Sequence, residues 1–273
     1  EEVDERIIRD MFSEIQNRTR KERFVMVFRK LARIAAILLI PLLSILSGYL
    51  YFNPVDQKGS IGNLVVHADR GERSGVTLPD GTQVKLNAES SLSYTHDFGR
   101  ELRQVNLEGE AYFEVTKDSN RPFYVITEEV QVRVYGTEFN VNTHQPGKVH
   151  TVLVDGKVGI KKRGTTGEIT MKPGELASFD RNAGTFEVKE VDVRQYVVWK
   201  DGYFTFENES LEQILNTLSL WYDVDVFFQS ESAKQLVFTG YMKRYNDISE
   251  ILNAITDVVG VNFTINGKTI IVS

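Results

Sequence analysis

The chain contains no cysteine. Disulfide frameworks, thiolate nucleophiles and cysteine-based zinc sites are thereby excluded. Histidine is scarce, and His67, His96, His144 and His150 are too scattered to form a metal-binding motif. No G-x-S-x-G, H-E-x-x-H, P-loop or G-x-G-x-x-G signature occurs. An excess of positive charge is also lacking. The 32 Lys and Arg against 38 Asp and Glu leave a net charge of −6, which argues against nucleic acid as the main partner. No cofactor is implied. What is present is ordinary globular composition, 41% hydrophobic and 26% charged over 273 residues, so wholesale disorder is excluded. That length suggests two domains, or one with appendages. The first residue is Glu1, which points to an upstream piece outside this sequence.

Long uncharged runs are absent with one exception. Ile34 to Phe52 reads IAAILLIPLLSILSGYLYF, without a charge and with ten Leu or Ile residues. A helix of that length spans about 28 Å, close to the roughly 30 Å hydrocarbon layer of a bilayer. The ten Leu and Ile favour insertion by roughly 3 to 6 kcal/mol. Pro41 would break a soluble helix but is tolerated in a membrane helix. A cleaved signal peptide fits less well, because 33 residues precede the run. Arg18, Arg20, Lys21, Arg23, Arg29, Lys30 and Arg33 lie before the run, opposed only by Glu22. Basic residues stay on the cytoplasmic side, so the N-terminus is expected inside and the C-terminal part across the membrane. Before the span, Val3, Ile7, Ile8, Met11, Phe12 and Ile15 fall at helical spacing.

Beyond the span the period changes to two. The alternation predicts strands at Val76–Leu78, Gln83–Leu86, Gln104–Leu107, Ala111–Val115, Phe123–Thr127, Val130–Tyr135, Phe139–Asn142, His150–Val154, Val158–Lys161 and Phe186–Lys189. Asp80-Gly81 and Asp155-Gly156 read as hairpin turns. Short strands with frequent turns predict an all-β domain, a sandwich or a β-helical stack. Glu108 and Glu110, on either side of Gly109, read as the charged edge of a turn rather than as a glycosidase pair.

The last seventy or so residues contain a duplication. Leu211, Ile214, Leu215, Asn216 and Leu218 match Ile248, Ile251, Leu252, Asn253 and Ile255 at an offset of 37, as Val224 and Val226 match Val261 and Phe263. Gly202-Tyr203 matches Gly240-Tyr241 at an offset of 38. Each half reads strand, amphipathic helix, strand. Asn208 and Asn246 are expected as helix N-caps, and Thr269–Val272 as a closing strand. The fold class is therefore mixed and multi-domain: a helical segment 1–33, a single transmembrane helix 34–52, a linker 53–62, an all-β domain 63–195 and a small α+β domain with a duplicated βαβ unit, 196–273.

The motifs VTLPDGTQVKLNAESSLSY (76–94), RQVNLEGEAYFEV (103–115), RPFYV (121–125), VYGTEFNV (134–141) and TVLVDGKVGI (151–160) occur in this order after a basic-flanked span, and WKDGYFTFENESLEQIL (199–215) follows. In this combination the chain resembles the FecR-like transmembrane anti-sigma factors of Gram-negative cell-surface signalling. The resemblance implies an inner-membrane, single-pass regulator with its N-terminus in the cytoplasm and its C-terminus in the periplasm. It implies an extracytoplasmic-function sigma factor as the cytoplasmic partner, held by a sigma-binding domain of which only about thirty residues are present. It implies the N-terminal signalling domain of a TonB-dependent outer-membrane transporter as the periplasmic partner, and release of the sigma factor through envelope proteases. The protein is not expected to be a metabolic enzyme.

Some related regulators cleave themselves at a Gly-Thr bond, so Gly136-Thr137 is a candidate for single-turnover self-cleavage. The Thr137 hydroxyl would attack the Gly136 carbonyl, and water would open the resulting ester. The competing reading is a bulge or tight bend in a strand. For the partner contact, edge availability points to Tyr203, Phe204, Thr205, Phe206, Val237, Phe238 and Thr239. The alternative to a relay is a membrane-tethered structural or secretion-assembly protein of the envelope.

Overall fold

In the computed structural model the described residues are 62–100, 102–245 and 247–273, together with 41–43 and 47. The expected span 34–52 and the segment 1–33 lie outside them, apart from Pro41–Leu43 and Ser47, which are helical. Among the described residues no helix is long and apolar enough to cross a membrane. Residues 62–273 form one compact unit.

Fourteen strands come first: β1 Leu64–Ala68, β2 Ser74–Thr77, β3 Gln83–Leu86, β4 Ser90–Tyr94, β5 Arg103–Glu108, β6 Glu110–Glu114, β7 Phe123–Ile126, β8 Val130–Val134, β9 Glu138–Asn142, β10 Lys148–Asp155, β11 Val158–Lys162, β12 Ile169–Met171, β13 Glu175–Asp180 and β14 Thr185–Glu190. They build two seven-stranded sheets, ordered β1-β4-β5-β7-β8-β11-β12 and β14-β13-β10-β9-β6-β3-β2. All pairs are antiparallel except β5 with β7. Of the two architectures left open, the observed one is a sandwich. Alternating residues of the two sheets, such as Leu92, Val105, Val125 and Val132 from one and Val84, Phe113, Phe139 and Phe179 from the other, share one core.

The chain crosses between sheets repeatedly, and the corners dictate residue type. Gly109 turns β5 of the first sheet into β6 of the second with φ +95, and a Cβ there would lie 2.7 Å from the Ser90 Cα. Gly136 turns β8 into β9 with φ +149, and its Cβ would lie 2.7 Å from the Lys117 Cα. Only glycine fits such a conformation pressed against backbone. Arg103, 1% exposed, is buried beside the first hairpin turn. It donates to Asp80 at 3.1 Å and to the carbonyls of Thr116 and Arg121. The predicted Asp80-Gly81 turn is thus also an anchor for the core, because the Asp80 carboxylate additionally accepts from the Thr82 N–H and hydroxyl at 2.9 Å.

Helical turns at Arg194–Val197 and Val198–Asp201 lead into the terminal module. Its elements are β15 Tyr203–Ser210, α1 Leu211–Tyr222, β16 Asp225–Phe228, a turn of helix Glu231–Lys234, β17 Val237–Lys243, α2 Ile248–Val259, β18 Phe263–Asn266 and β19 Thr269–Val272. β15 pairs with β17, and β19 lies between β16 and β18. The apolar stripes read from the sequence are buried: Leu211, Ile214, Leu215 and Leu218 on α1, and Ile248, Ile251, Leu252 and Ile255 on α2. The caps differ from expectation. Ser210 caps α1 in a capping box with Gln213, and Asp247 caps α2. Asn208 instead takes φ +53 at a bulge in β15, where its N–H donates to the Thr239 hydroxyl at 2.9 Å. Because the bulge lets the strand run on to Ser210, the helix starts later than the asparagine suggested. Asn246 lies outside the described residues.

Candidate functional site

The terminal module docks on the outer face of the second sheet. Alternation along β6 sends Ala111 and Phe113 into the sandwich core and Glu110 and Tyr112 to that outer face. There Tyr112 and Ala88 join the apolar cluster of the module, with Trp199 buried among them. Trp199 Nε1 donates to Asn140 Oδ1 at 3.1 Å. Asn140 Nδ2 in turn donates to Glu110 Oε1 at 2.8 Å, and Asn87 Nδ2 to Glu110 Oε2 at 2.7 Å. Burial pushes the Glu110 carboxyl above the usual carboxylate range, and the amides of Asn140 and Asn87 pull it part of the way back. Glu110 is therefore not the exposed turn edge anticipated from its sequence. The period-two phase of β6 puts it on a covered face, and the covering residue, Trp199, is far along the chain.

The second contact is the β1–β2 loop. Gly71 N–H donates to the Leu220 carbonyl at 2.7 Å, and Arg70 donates to the Val224 carbonyl at 2.7 Å and to Asp225 at 3.3 Å. Arg244 Nη2 donates back to the Gly71 carbonyl at 2.8 Å and to the Trp221 carbonyl at 2.7 Å. These bonds satisfy the C-terminal end of α1 with groups from the sandwich, a role that water or local caps usually take. The loop they grip follows β1, the first strand after the linker and the apolar run.

The seven residues expected at a partner contact divide by face. Phe204, Phe206 and Phe238 are buried at 4%, 3% and 5% exposure, with Phe204 against Trp221 at 4.2 Å. Their side chains belong to the core and do not face a partner. Tyr203, Thr205, Val237 and Thr239 lie on the opposite face, with Tyr241 beside them. Tyr203 and Tyr241, the repeated tyrosines, stack at 5.1 Å because the two half-repeats pair antiparallel. Among the described residues each of β15 and β17 has one edge without a strand partner.

Gly136 and Thr137 occupy the β8–β9 corner. Thr137 is 4% exposed, its hydroxyl donates to the Lys157 carbonyl at 3.0 Å, and its carbonyl accepts from Val115 N–H. The residues that sequence reasoning missed are Trp199, Arg70, Arg73 and Arg244. All act across long separations, where no local periodicity signals them.

A sandwich that carries a duplicated strand–helix–strand module on one outer face is a two-part architecture, and both parts match known proteins. Residues 65–159 match the family model described as FecR protein, and residues 203–272 match that described as FecR, C-terminal. The chain belongs to the FecR family. Two crystal structures of a candidate anti-sigma factor from Parabacteroides distasonis ATCC 8503, at 1.65 and 2.50 Å resolution, share the fold. For each the TM-score is 0.69 and the identity 26%, over 77% of this chain and 98% of the other. Comparison with curated protein sequences gives no match.

Proposed function

We propose that this chain is a single-pass, inner-membrane anti-sigma factor that relays a periplasmic signal. Its N-terminal segment contributes to holding an extracytoplasmic-function sigma factor in the cytoplasm. The terminal module receives the signalling domain of a TonB-dependent transporter, and envelope proteases then free the sigma factor. The observation that carries this reading is the grip of the module on the β1–β2 loop. A partner that moves α1 pulls on Gly71 and Arg70, and so on β1, the first strand after the apolar run in the sequence. Family membership and the likeness to a candidate anti-sigma factor support the sigma partner.

The test is a pull-down with the full-length protein from native membranes, followed by identification of the bound sigma factor and transporter. Tyr241→Asp on the exposed face should abolish capture of the transporter domain without shifting the unfolding midpoint. Unchanged capture would remove the module as receiver. Tags placing both chain ends in one compartment would remove the relay itself. In this reading Gly136-Thr137 serves as a corner of the intact sandwich rather than as a scissile bond. A denaturing gel decides, since two fragments in wild type and one band in Thr137→Val would establish cleavage.

A further inference from the structure

A cleft of about 620 Å³ opens where the terminal module meets the sandwich. Its walls come from the β1–β2 loop (Gly71, Arg73), the residues just before β15 (Asp201, Gly202), the end of α1 (Trp221, Tyr222) and the end of β17 with the two residues after it (Lys243, Arg244, Tyr245). Arg73 and Arg244 stack on the same indole, their guanidinium carbons 5.1 and 5.4 Å from the Trp221 ring centre, and Arg244 also lies 5.5 Å from Tyr222. Each is fixed at one end only. Arg73 Nη1 donates to the Trp199 carbonyl at 2.6 Å, and Arg244 uses Nη2 for its two carbonyls. Stacking and one-sided anchoring hold a guanidinium in a set plane while leaving its other N–H groups for an acceptor.

The cleft sets one acid, Asp201, against three cations, Arg73, Lys243 and Arg244. Among the described residues neither Arg73 nor Arg244 pairs with a carboxylate, and the acid that lines the cleft, Asp201, is bound by Lys200 at 3.0 Å. Burial first, and then the neighbouring Arg244, lower the proton affinity of Arg73, with Asp201 opposing. Two like charges held on one ring repel unless an anion joins them. In a chain with net charge −6 this is a local inversion of sign.

We infer that the cleft binds a carboxylate of an acidic peptide segment in the partner protein, gripped between Arg73 and Arg244 with Lys243 at the rim. A carboxylate matches the fork of a guanidinium. A peptide fits better than a small ion because the cleft far exceeds one carboxyl group and is walled by Trp221, Tyr222 and Tyr245. It also adjoins the ends of β15 and β17, whose edges could carry the rest of the segment. The inference rests on the relay reading in that it names the chemistry of the periplasmic partner. The occupied cleft would bind both the Arg73 loop and the module, so the ligand would act on the joint itself.

The chain has only two tryptophans, Trp199 and Trp221, and both border this joint. Their fluorescence in the full-length, detergent-solubilised protein is the readout. Acetyl-tetraglutamate amide should give a saturable change, and acetyl-tetraglutamine amide none. Arg244→Lys keeps the charge but loses the fork, and binding should weaken roughly tenfold, the scale of one lost charge-assisted hydrogen bond. Lys243→Gln, at the exposed rim of the cleft, should weaken it several-fold with the unfolding midpoint unchanged. No saturation, equal binding of the glutamine peptide, or succinate binding as tightly as the peptide overturns the proposal. If the transporter domain binds with affinity unchanged in Arg244→Lys and Lys243→Gln, this site falls and the relay reading stands. If the glutamate peptide binds as expected but the transporter domain does not bind at all, the relay reading falls and the site stands.

Discussion

In the sandwich both sheets feed one apolar core, and the outer face of the second sheet is covered as well. The terminal module instead divides its strands between a pair and a triplet, packs two helices on them, and leaves large apolar side chains in solvent. Phe227, Val237, Tyr241 and Val258 are 61%, 54%, 63% and 66% exposed. Single exposed apolar residues need no explanation, but in both regions several accompany strand edges without partners, Val65 on β1 and Val237 on β17 among them. The sandwich exposes as many such residues, Leu64, Val65, Leu102, Tyr135, Ile169 and Val188, but over a longer stretch of chain, so the module is the more densely exposed of the two. The joint between them combines an apolar patch, Ala88 and Tyr112 against Trp199, with directional polar contacts: arginines on carbonyls and one buried carboxyl between amides. Satisfied buried polar contacts of that kind fix a defined geometry between the two regions.

The comparison predicts its largest effect at Arg103. Arg103→Leu leaves Asp80 buried at 7% exposure with its cationic partner gone. Breaking a buried pair from one side costs about 3 to 5 kcal/mol, and urea unfolding followed by circular dichroism should show that loss. No single surface variant in the terminal module should approach it. If one did, the module would not be the looser region.

Acid should find the sandwich first. Burial, and then Lys148 and Lys189, push the His150 imidazole down to about 4 from its ordinary 6.5. Between those values the unfolded chain binds a proton that the native chain refuses, so stability is fully present above pH 6.5 and falls as pH drops toward 4. The loss is at most about 3 kcal/mol. His150→Gln should flatten the stability profile across that window. An unchanged slope would show that other groups, such as His144, whose pKa burial also lowers, dominate.

At the β8–β9 corner, Gly136→Ala sets a Cβ against the Lys117 backbone at a φ of +149 and should cost about 1 to 3 kcal/mol. Thr137→Val loses the bond to the Lys157 carbonyl and should cost about 1 kcal/mol. A larger effect of Thr137 than of Gly136 would contradict a corner role.

The sequence exposed these regions unequally. All ten strands anticipated from alternation are present, because a sheet with one face in a core imposes period two on its residues. Four more went unread. Ser90, Ser91 and Ser93 dilute β4, although Leu92 and Tyr94 still point inward, and β12 has three residues, too few for a pattern. β1 offers its hydrophobic residues as a run with two exposed members, and β13 reads Leu-Ala-Ser-Phe with adjacent apolar residues, so neither alternates in sequence. The duplication was visible because both copies bury the same helix face, and Val224 and Val261 occupy equivalent buried positions. Nothing local could reveal the joint. Arg73 meets Trp199 and Gly71 meets Arg244 only after folding, and Glu110 reads as surface until the module covers it.

The smallest predicted effects lie within the module and separate its two halves. Ser210 caps α1 reciprocally: its hydroxyl accepts from the Gln213 N–H, and Gln213 accepts from the Ser210 N–H at 3.2 Å. Asp247 caps α2 in one direction only, accepting from the Ser249 N–H at 2.9 Å and from its hydroxyl at 2.8 Å. Ser210→Ala should cost about 1 kcal/mol and Asp247→Ala somewhat less. The order matters more than the size. Ser210 also ends β15, so its loss loosens the strand pair with β17 as well as the helix, whereas Asp247 follows a strand that has already ended at Lys243. If the two variants weaken transporter-domain capture equally, the paired strands are not the receiving surface. If Ser210→Ala weakens it more, the contact runs along β15.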